Sequence, residues 1–367
     1  MDNLGGMQRV ASELDRALAA RADLQYTTRF LRAPWKTVHI RSAGFLLTSL
    51  FAVWRAIRRG EVDVILFSSM VTASLAVLLR PVLTRQGVLA AAIVHGLDVT
   101  TPAPIYQWFV PKVFASLDLV LPVSAATGEQ CVQRGLRRDQ LQPVRNGVDP
   151  DRFPSPEFTR SERRRLLEPL LERHSLPDQA TLLCSVGRQV ARKGFAWFIT
   201  EVMPLLPANV HYWLAGTGPE HAALQEAVDR AEGPQRVTLL GRVSEEELEA
   251  LYRGADLFIM PNVPVAGDME GFGVVMLEAG MNGMPAVGAR LEGIAEVITD
   301  GQNGILVESG DAAGFADAIR GQLSQPGGLE KGAQNAYNFT MSNFSWESVA
   351  AEYVDVLRER LPRGSGN

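Results

Sequence analysis

A chain of 367 residues with 46% apolar and 21% charged residues has the composition of a soluble globular enzyme and the length for two domains. Its net charge of −5 is uneven: residues 1–150 carry 17 Lys/Arg against 11 Asp/Glu, and the remainder carries 19 against 30. Cys131 and Cys184 stand far apart with no Cys/His cluster, which excludes a disulfide scaffold and a zinc site, and the longest apolar run, GFLLTSLFAVW from Gly44, falls short of the roughly 20 residues of a membrane span.

No secretory signal is read at the start, so the expected location is the cytoplasm. Nucleic acid is not expected as a partner, because no basic stripe with interleaved aromatics occurs.

In chain order, the first feature is MDNLGGMQRVASEL. Gly5-Gly6 opens a helical pattern with apolar Met7, Val10, Ala11, Leu14 and Leu18. Such a turn follows a strand in an α/β domain, and here only MDNL precedes it. A strand of roughly ten residues running into Asp2 is therefore expected upstream, from a start codon earlier than Met1. Further strands are predicted at 24–30, 62–67, 88–94, 117–122 and 142–144, and helices at 46–58, 72–83, 105–115 and 125–134. Leu46, Leu47, Leu50, Phe51 and Trp54 form an apolar stripe flanked by Arg41, Arg55, Arg58 and Arg59. The stripe reads equally as a helix packed on its own sheet and as a contact with an anionic surface. NGVDPDRFPSPEF, with three prolines, reads as a linker.

The alternation then resumes. Strands are predicted at 181–186, 211–215, 237–240, 257–260, 286–288 and 305–307, and helices at 195–206, 220–231, 245–255, 273–282 and 312–323. This predicts an α/β fold of two doubly wound parallel sheets, whose ligands bind outside the carboxyl ends of the strands. FSWESVAAEYVDVLRERL closes the pattern with Trp346, Val349, Ala350, Tyr353, Val354 and Leu357 on one helical face.

The candidate chemistry lies at strand ends. SVGRQVARKG (185–194) places Arg188 and Lys193 between a strand and a helix, where two cations suit a diphosphate; ordinary surface charge is the plainer reading. AGTGPE (215–220) lacks the third glycine of GxGxxG, so Gly216 and Gly218 read first as a tight turn. EGFGVVMLEAG (270–280) is the most informative stretch. Glu270 precedes Gly271-Phe272-Gly273, and Glu278 follows about two helical turns later. A helix opening at Gly273 offers free N–H groups and a dipole to an anion. Val274, Val275, Met276, Leu277 and Ala279 make that helix apolar and buried, so Glu278 needs a partner such as a ribose diol. VHGLD (94–98) puts His95 and Asp98 just past an apolar strand, although a lone His is more often structural. DPD lies in the linker and is not read as a metal site, and the absence of GxSxG and HExxH sets aside serine hydrolases and zinc proteases.

Together these stretches resemble glycosyltransferase family 4, retaining, nucleotide-sugar-dependent enzymes of the GT-B fold. EGFGVVMLEAG is similar to the family's E-x7-E motif and GRQVARKG to its phosphate loop. VHGLD, NGVDPDRF, AGTGPE, the GILV after DGQN, and FSWESVAAEYVDVLRERL fall in the family's order. The resemblance covers nearly the whole chain and is strongest from Asn146 to Val307.

It implies two doubly wound Rossmann-like domains facing a central cleft. Residues 1–149 with 345–367 would form the acceptor-side domain, its first strand missing and its C-terminal helix returning, and residues 150–344 the nucleotide-sugar domain. Arg188 and Lys193 would neutralise the donor diphosphate. Gly5, Gly6, Gly271, Phe272 and Gly273 would present backbone N–H groups to phosphate or sugar, and Val243 would lie where the backbone meets the base. Glu278 would bind the ribose, Glu270 would hold the donor sugar, and His95 would approach it. No metal and no cofactor is implied, the nucleotide sugar being a co-substrate.

The implied reaction moves a hexosyl group, with retention, from a UDP- or GDP-linked sugar to a hydroxyl acceptor in polysaccharide, glycolipid or small glycoside synthesis. Asp268 shortly before Glu270 resembles bacterial mannosyltransferases acting on phosphoinositides, which makes GDP-mannose a candidate; UDP-glucose is equally arguable. Peripheral contact of the first domain with the inner face of the plasma membrane extends the expectation. Two alternatives stay open. A nucleotide-sugar epimerase of the same fold would act on donor alone, and a catalytically inactive sugar-nucleotide-binding protein has the missing strand as its one support.

Overall fold

The computed structural model describes residues 6–31, 38–230, 236–324 and 327–361. Gly5 lies outside them, and Gly6 is the first residue of the helix Gly6–Ala19. The chain divides into two compact units, Met1–Gly147 with Trp346–Asn367, and Val148–Ser345.

In the first unit, β1 (Val64–Phe67), β2 (Leu89–Val94) and β3 (Leu119–Pro122) lie side by side, parallel and in chain order. β2, LAAAIV, is buried along its length, as suits a central parallel strand covered on both faces. The helix predicted at 72–83 is broken into Met70–Ala73 and Leu75–Gln86. Ser69 caps the first piece in a reciprocal capping box with Thr72, and Ser74 separates the two. The helix predicted at 46–58 extends over Val38–Arg58 and packs against Leu75–Gln86, which in turn packs against Pro104–Ala115.

Two predicted strands of this unit do not form. Residues 24–30 pair with no strand among the described residues and leave Tyr26 and Phe30 exposed. Residues 142–144 do run beside β3, Gln142 and Val144 each donating an N–H to it at 3.0 Å. The paired residues there are limited to the bridge of Leu141 with Val120. Helix Trp346–Arg360 buries Trp346, Val349, Ala350, Tyr353, Val354 and Leu357 and packs on Gly6–Ala19, whose Val10, Leu14 and Leu18 are buried in turn.

The second unit is a parallel sheet of β4 (Thr181–Val186), β5 (Val210–Ala215), β6 (Val237–Gly241), β7 (Leu257–Met260), β8 (Ala286–Ala289) and β9 (Gly304–Val307). The spatial order is β6-β5-β4-β7-β8-β9. This is the doubly wound order, with the direction of winding reversing between β4 and β7. The helix predicted at 195–206 runs as α-helix over Phe195–Trp197, opens to a π turn over Phe198–Val202 and tightens to 3-10 over Met203–Leu205, where Pro204 supplies no N–H. The 17-residue helix Gly328–Phe344 was not predicted: its buried face, Ala333, Ala336, Thr340 and Phe344, has helical spacing but little hydrophobic contrast. Such small side chains let it lie close on helix Val274–Met281, where a Cβ on Gly280 would overlap the Thr340 hydroxyl.

Candidate functional site

The loops leaving β4 and β7 meet at the switch point of the second sheet. Gly194 ends the first loop with φ +64°, and a Cβ there would overlap the Pro261 carbonyl of the second, so glycine is what lets the loops approach. Their approach brings Lys193 Nζ within 2.6 Å of Glu270 Oε2, with side chains only 6% and 11% exposed. Arg192 Nε lies 3.5 Å from the same oxygen, and Arg192 also pairs with Asp268 at 3.0 Å. Asn262 donates to Glu270 Oε2 at 3.3 Å, and Glu292 accepts the Glu270 N–H at 2.6 Å.

These contacts set the charge of the site. Burial opposes ionisation of Glu270, but Lys193 and Arg192 outweigh it and hold the carboxyl below its ordinary pKa. Glu292 moves upward, chiefly through burial. It is also a non-glycine residue with positive φ, 48°, which stores strain beside the site. Asn262 Oδ1 is buried without a hydrogen-bond partner, an acceptor with no use inside the described protein.

Glu278 sits on helix Val274–Met281, which Gly273 opens at φ +81°. One carboxylate oxygen accepts from Arg152, and the other accepts the Tyr252 hydroxyl at 2.8 Å. Arg152 comes from NGVDPDRF and also reaches Glu245 at 3.3 Å; Tyr252 comes from helix Glu245–Gly254. Burial disfavours the Arg152 charge, but Glu278 and Tyr252 outweigh it and raise its pKa, while burial and Glu278 together push Tyr252 well up. The partner that a buried Glu278 requires is thus supplied inside the protein.

The other anticipated residues are dispersed. Arg188 is exposed, with no ion pair among the described residues. Phe272 is 3% exposed and packs edge-on against Phe344, so only its backbone is left for a ligand. Val243 is half-buried between β6 and the Ser244 cap. Cβ atoms on Gly216 and Gly218 would overlap backbone of Gly187 and Gln189, which is the tight-turn reading. His95 belongs to the first unit, past the end of β2. Its Nε2 lies 3.0 Å from the Ser68 carbonyl, and its N–H donates to Asp98 at 2.8 Å. Asp98 also accepts the Met70 N–H at 3.3 Å, which ties together the loops after β1 and β2.

Sequence reasoning missed Arg192, Asn262 and Glu292 around Glu270, and Arg152 and Tyr252 around Glu278. Only Arg192, adjacent to Lys193, carried a local signal; the rest arrive from distant elements.

A parallel doubly wound sheet with a buried cation–carboxylate pair at its switch point, joined to a second α/β unit, defines a protein of the GT-B class. The model for Glycosyltransferase Family 4 matches residues 4–152 and that for Glycosyl transferases group 1 matches residues 180–325, and the chain belongs to glycosyltransferase family 4. It is 28% identical over 290 residues to the GDP-mannose-dependent alpha-(1-6)-phosphatidylinositol monomannoside mannosyltransferase of Mycolicibacterium smegmatis, covering 77% of this chain and 74% of that protein. It is 28% identical over 268 residues to the amylovoran biosynthesis glycosyltransferase AmsK of Erwinia amylovora, covering 72% and 61%. The alignments thus span about three fifths to three quarters of these relatives. Among solved structures, Anabaena HepE in complex with UDP and glucose matches with a TM-score of 0.73 at 18% identity over 98% of this chain and 97% of that one. Sucrose-phosphate synthase of Thermosynechococcus elongatus follows at 0.69 and 19%, over 97% and 93%.

Proposed function

We propose that the protein transfers a hexosyl group from a nucleoside diphosphate sugar to a hydroxyl acceptor, with retention at the anomeric carbon and without a metal ion or other cofactor. The observation that carries this reading is the Lys193–Glu270 pair at the switch point, with the exposed cation Arg188 on the same loop. Arg188 and Lys193 offset the diphosphate charge in the bound donor and in the departing group. Backbone N–H groups of Gly271, Phe272 and Gly273 take phosphate or sugar oxygens at the opening of the helix. Ionised Glu270 accepts from sugar hydroxyls, Glu278 from the ribose diol, and the Val243 backbone meets the base. Gly5, Gly6 and His95 keep the roles on phosphate and sugar that the family resemblance assigns them.

In the transfer, the C1–O bond to the diphosphate breaks and a C1–O bond to the acceptor forms on the same face. The acceptor's proton passes to the departing phosphate oxygen. Glu270 is a binding group in this reading and not a nucleophile. The relatives' names support glycolipid or polysaccharide synthesis as the setting, and both GDP and UDP as donor bases to be tested. A cytoplasmic location with contact at the inner membrane face belongs to the same reading.

A thermal-shift screen of UDP- and GDP-sugars tests it. A true donor at a hundred times its Kd stabilises the fold by about 2.7 kcal/mol, and Lys193→Ala abolishes most of that gain. Absence of stabilisation by every nucleoside diphosphate rejects donor binding. Product of inverted configuration rejects retention, an epimer formed from donor alone selects the epimerase, and binding without turnover on any acceptor selects the inactive binding protein.

A further inference from the structure

The helices Leu75–Gln86 and Pro104–Ala115 connect β1 to β2 and β2 to β3, successive parallel neighbours. Right-handed crossovers in one direction place both on the same side of the sheet. Val38–Arg58 packs on the first of them and completes a three-helix layer. Its inner face feeds the core through residues such as Leu46, Leu50, Ile57, Leu79 and Phe114. The apolar stripe read from the sequence therefore divides: Leu46 and Leu50 turn inward, while Leu47, Phe51 and Trp54 remain 69%, 62% and 40% exposed. The neighbouring helices add Leu78 at 68%, Ile105 at 83% and Trp108 at 65%. Single exposed apolar side chains are ordinary, but six large ones on three adjoining helices are not.

The charge on this layer is one-sided. The three helices hold Arg41, Arg55, Arg58, Arg80, Arg85 and Lys112 and no Asp or Glu at all. Arg80 is committed to Asp118 at 2.7 Å, and among the described residues the other five form no ion pair. Two of them sit on the exposed aromatics: the Arg58 guanidinium lies 5.2 Å from the Trp54 ring centre and the Lys112 ammonium 3.2 Å from that of Trp108. An indole body with a cation stacked on it matches the boundary where acyl chains meet phosphates.

We propose that the outer face of this layer is a docking surface for an anionic lipid bilayer. Exposed rings and aliphatic tips enter the acyl boundary while the unpaired cations meet lipid phosphates. The same charge argues against a second copy of the chain as the occupant, since apposing two such faces would bring like charges together. The inference rests on the membrane contact included in the proposed function and gives it a surface, which lies in the first unit and stands whichever nucleotide sugar the second unit takes.

The test is co-sedimentation of the full chain with phosphatidylcholine vesicles, with and without phosphatidylglycerol. The expected result is binding to the anionic vesicles that weakens steeply as salt shortens the Debye length. Arg55→Glu/Arg58→Glu/Lys112→Glu lowers the affinity at least about tenfold. Phe51→Ser/Trp108→Ser removes the part of the binding that survives salt. Circular dichroism melts matching wild type show that both variants are folded. The proposal is overturned by absence of binding at low salt, by equal binding to neutral vesicles, or by variants that bind as wild type does. Self-association that Phe51→Ser/Trp108→Ser abolishes, without vesicle binding, also overturns it and assigns the face to a second copy.

Discussion

Lys193 Nζ lies 2.6 Å from Glu270 Oε2, one residue arriving from the loop after β4 and the other from the loop after β7. The pair spans the point where the sheet reverses its winding, and both side chains are buried. Removing one partner leaves the other charge in a low-dielectric site. Glu270→Ala should therefore cost about 3–5 kcal/mol in urea denaturation. The double variant Lys193→Met/Glu270→Gln should recover much of that stability, and neither variant should transfer sugar. A double variant no more stable than the single one would show that the cost has another origin.

The depressed pKa of Glu270 sets a pH dependence. Its folded value lies below the unfolded one, so its stabilisation is full above the ordinary carboxylate range and is lost as pH falls through the folded value. Melting temperatures of wild type and Glu270→Gln should differ by a constant amount near neutrality and converge in acid. A difference that widens on acidification contradicts the sign.

Arg152 and Tyr252 hold the two oxygens of Glu278, and Arg152 alone of the two has a second acid, Glu245, within reach. A ribose diol competes with Arg152 more readily than with the fully buried Tyr252. Arg152→Ala should tighten binding of the preferred nucleoside diphosphate, whereas Tyr252→Phe, which loses a charge-assisted bond of about 1.5–3 kcal/mol, should weaken it. A 2′,3′-dideoxy nucleotide should distinguish neither variant from wild type in calorimetry.

Gly194→Ala meets two obstacles, a left-handed φ of +64° and the Pro261 carbonyl. It should force the two site loops apart, lower stability by more than the ~1 kcal/mol of an ordinary Gly→Ala strain, and reduce nucleotide affinity with it. Gly301→Ala serves as the control: its φ is +76°, and no atom lies within 4 Å of the added Cβ.

Asp98 accepts the N–H groups of His95 and Met70 with separate oxygens. Asp98→Ala leaves both donors unpaired and should cost about 1–3 kcal/mol for each that stays buried. His95→Ala spares those bonds. If His95 acts on the donor sugar, its variant should lose kcat at nearly unchanged stability, a split that chemical denaturation and initial rates resolve together.

Much of the architecture was legible in the amino-acid order. Runs such as LAAAIV and TLLCSV, short, apolar and bounded by turn residues, read as strands buried on both faces, and EGFGVVMLEAG places two acids around a helix opening. Local rules reach that far because hydrophobic period and glycine geometry act over a few residues. They fail where the deciding partner is distant. Residues 24–30 had strand-like alternation yet pair with no strand among the described residues, and Gly328–Phe344 is a helix whose buried face is mostly small or polar and so gives a weak hydrophobic signal. Tertiary structure alone decided that Glu270 would meet Lys193, that Arg152 would close on Glu278, and that Leu46 would turn inward while Leu47 faced solvent. The physical reason is common to all three. A side chain's chemistry is written in its own residue, but its charge state and exposure depend on which groups the fold carries to within a few ångströms, and those come from far along the chain.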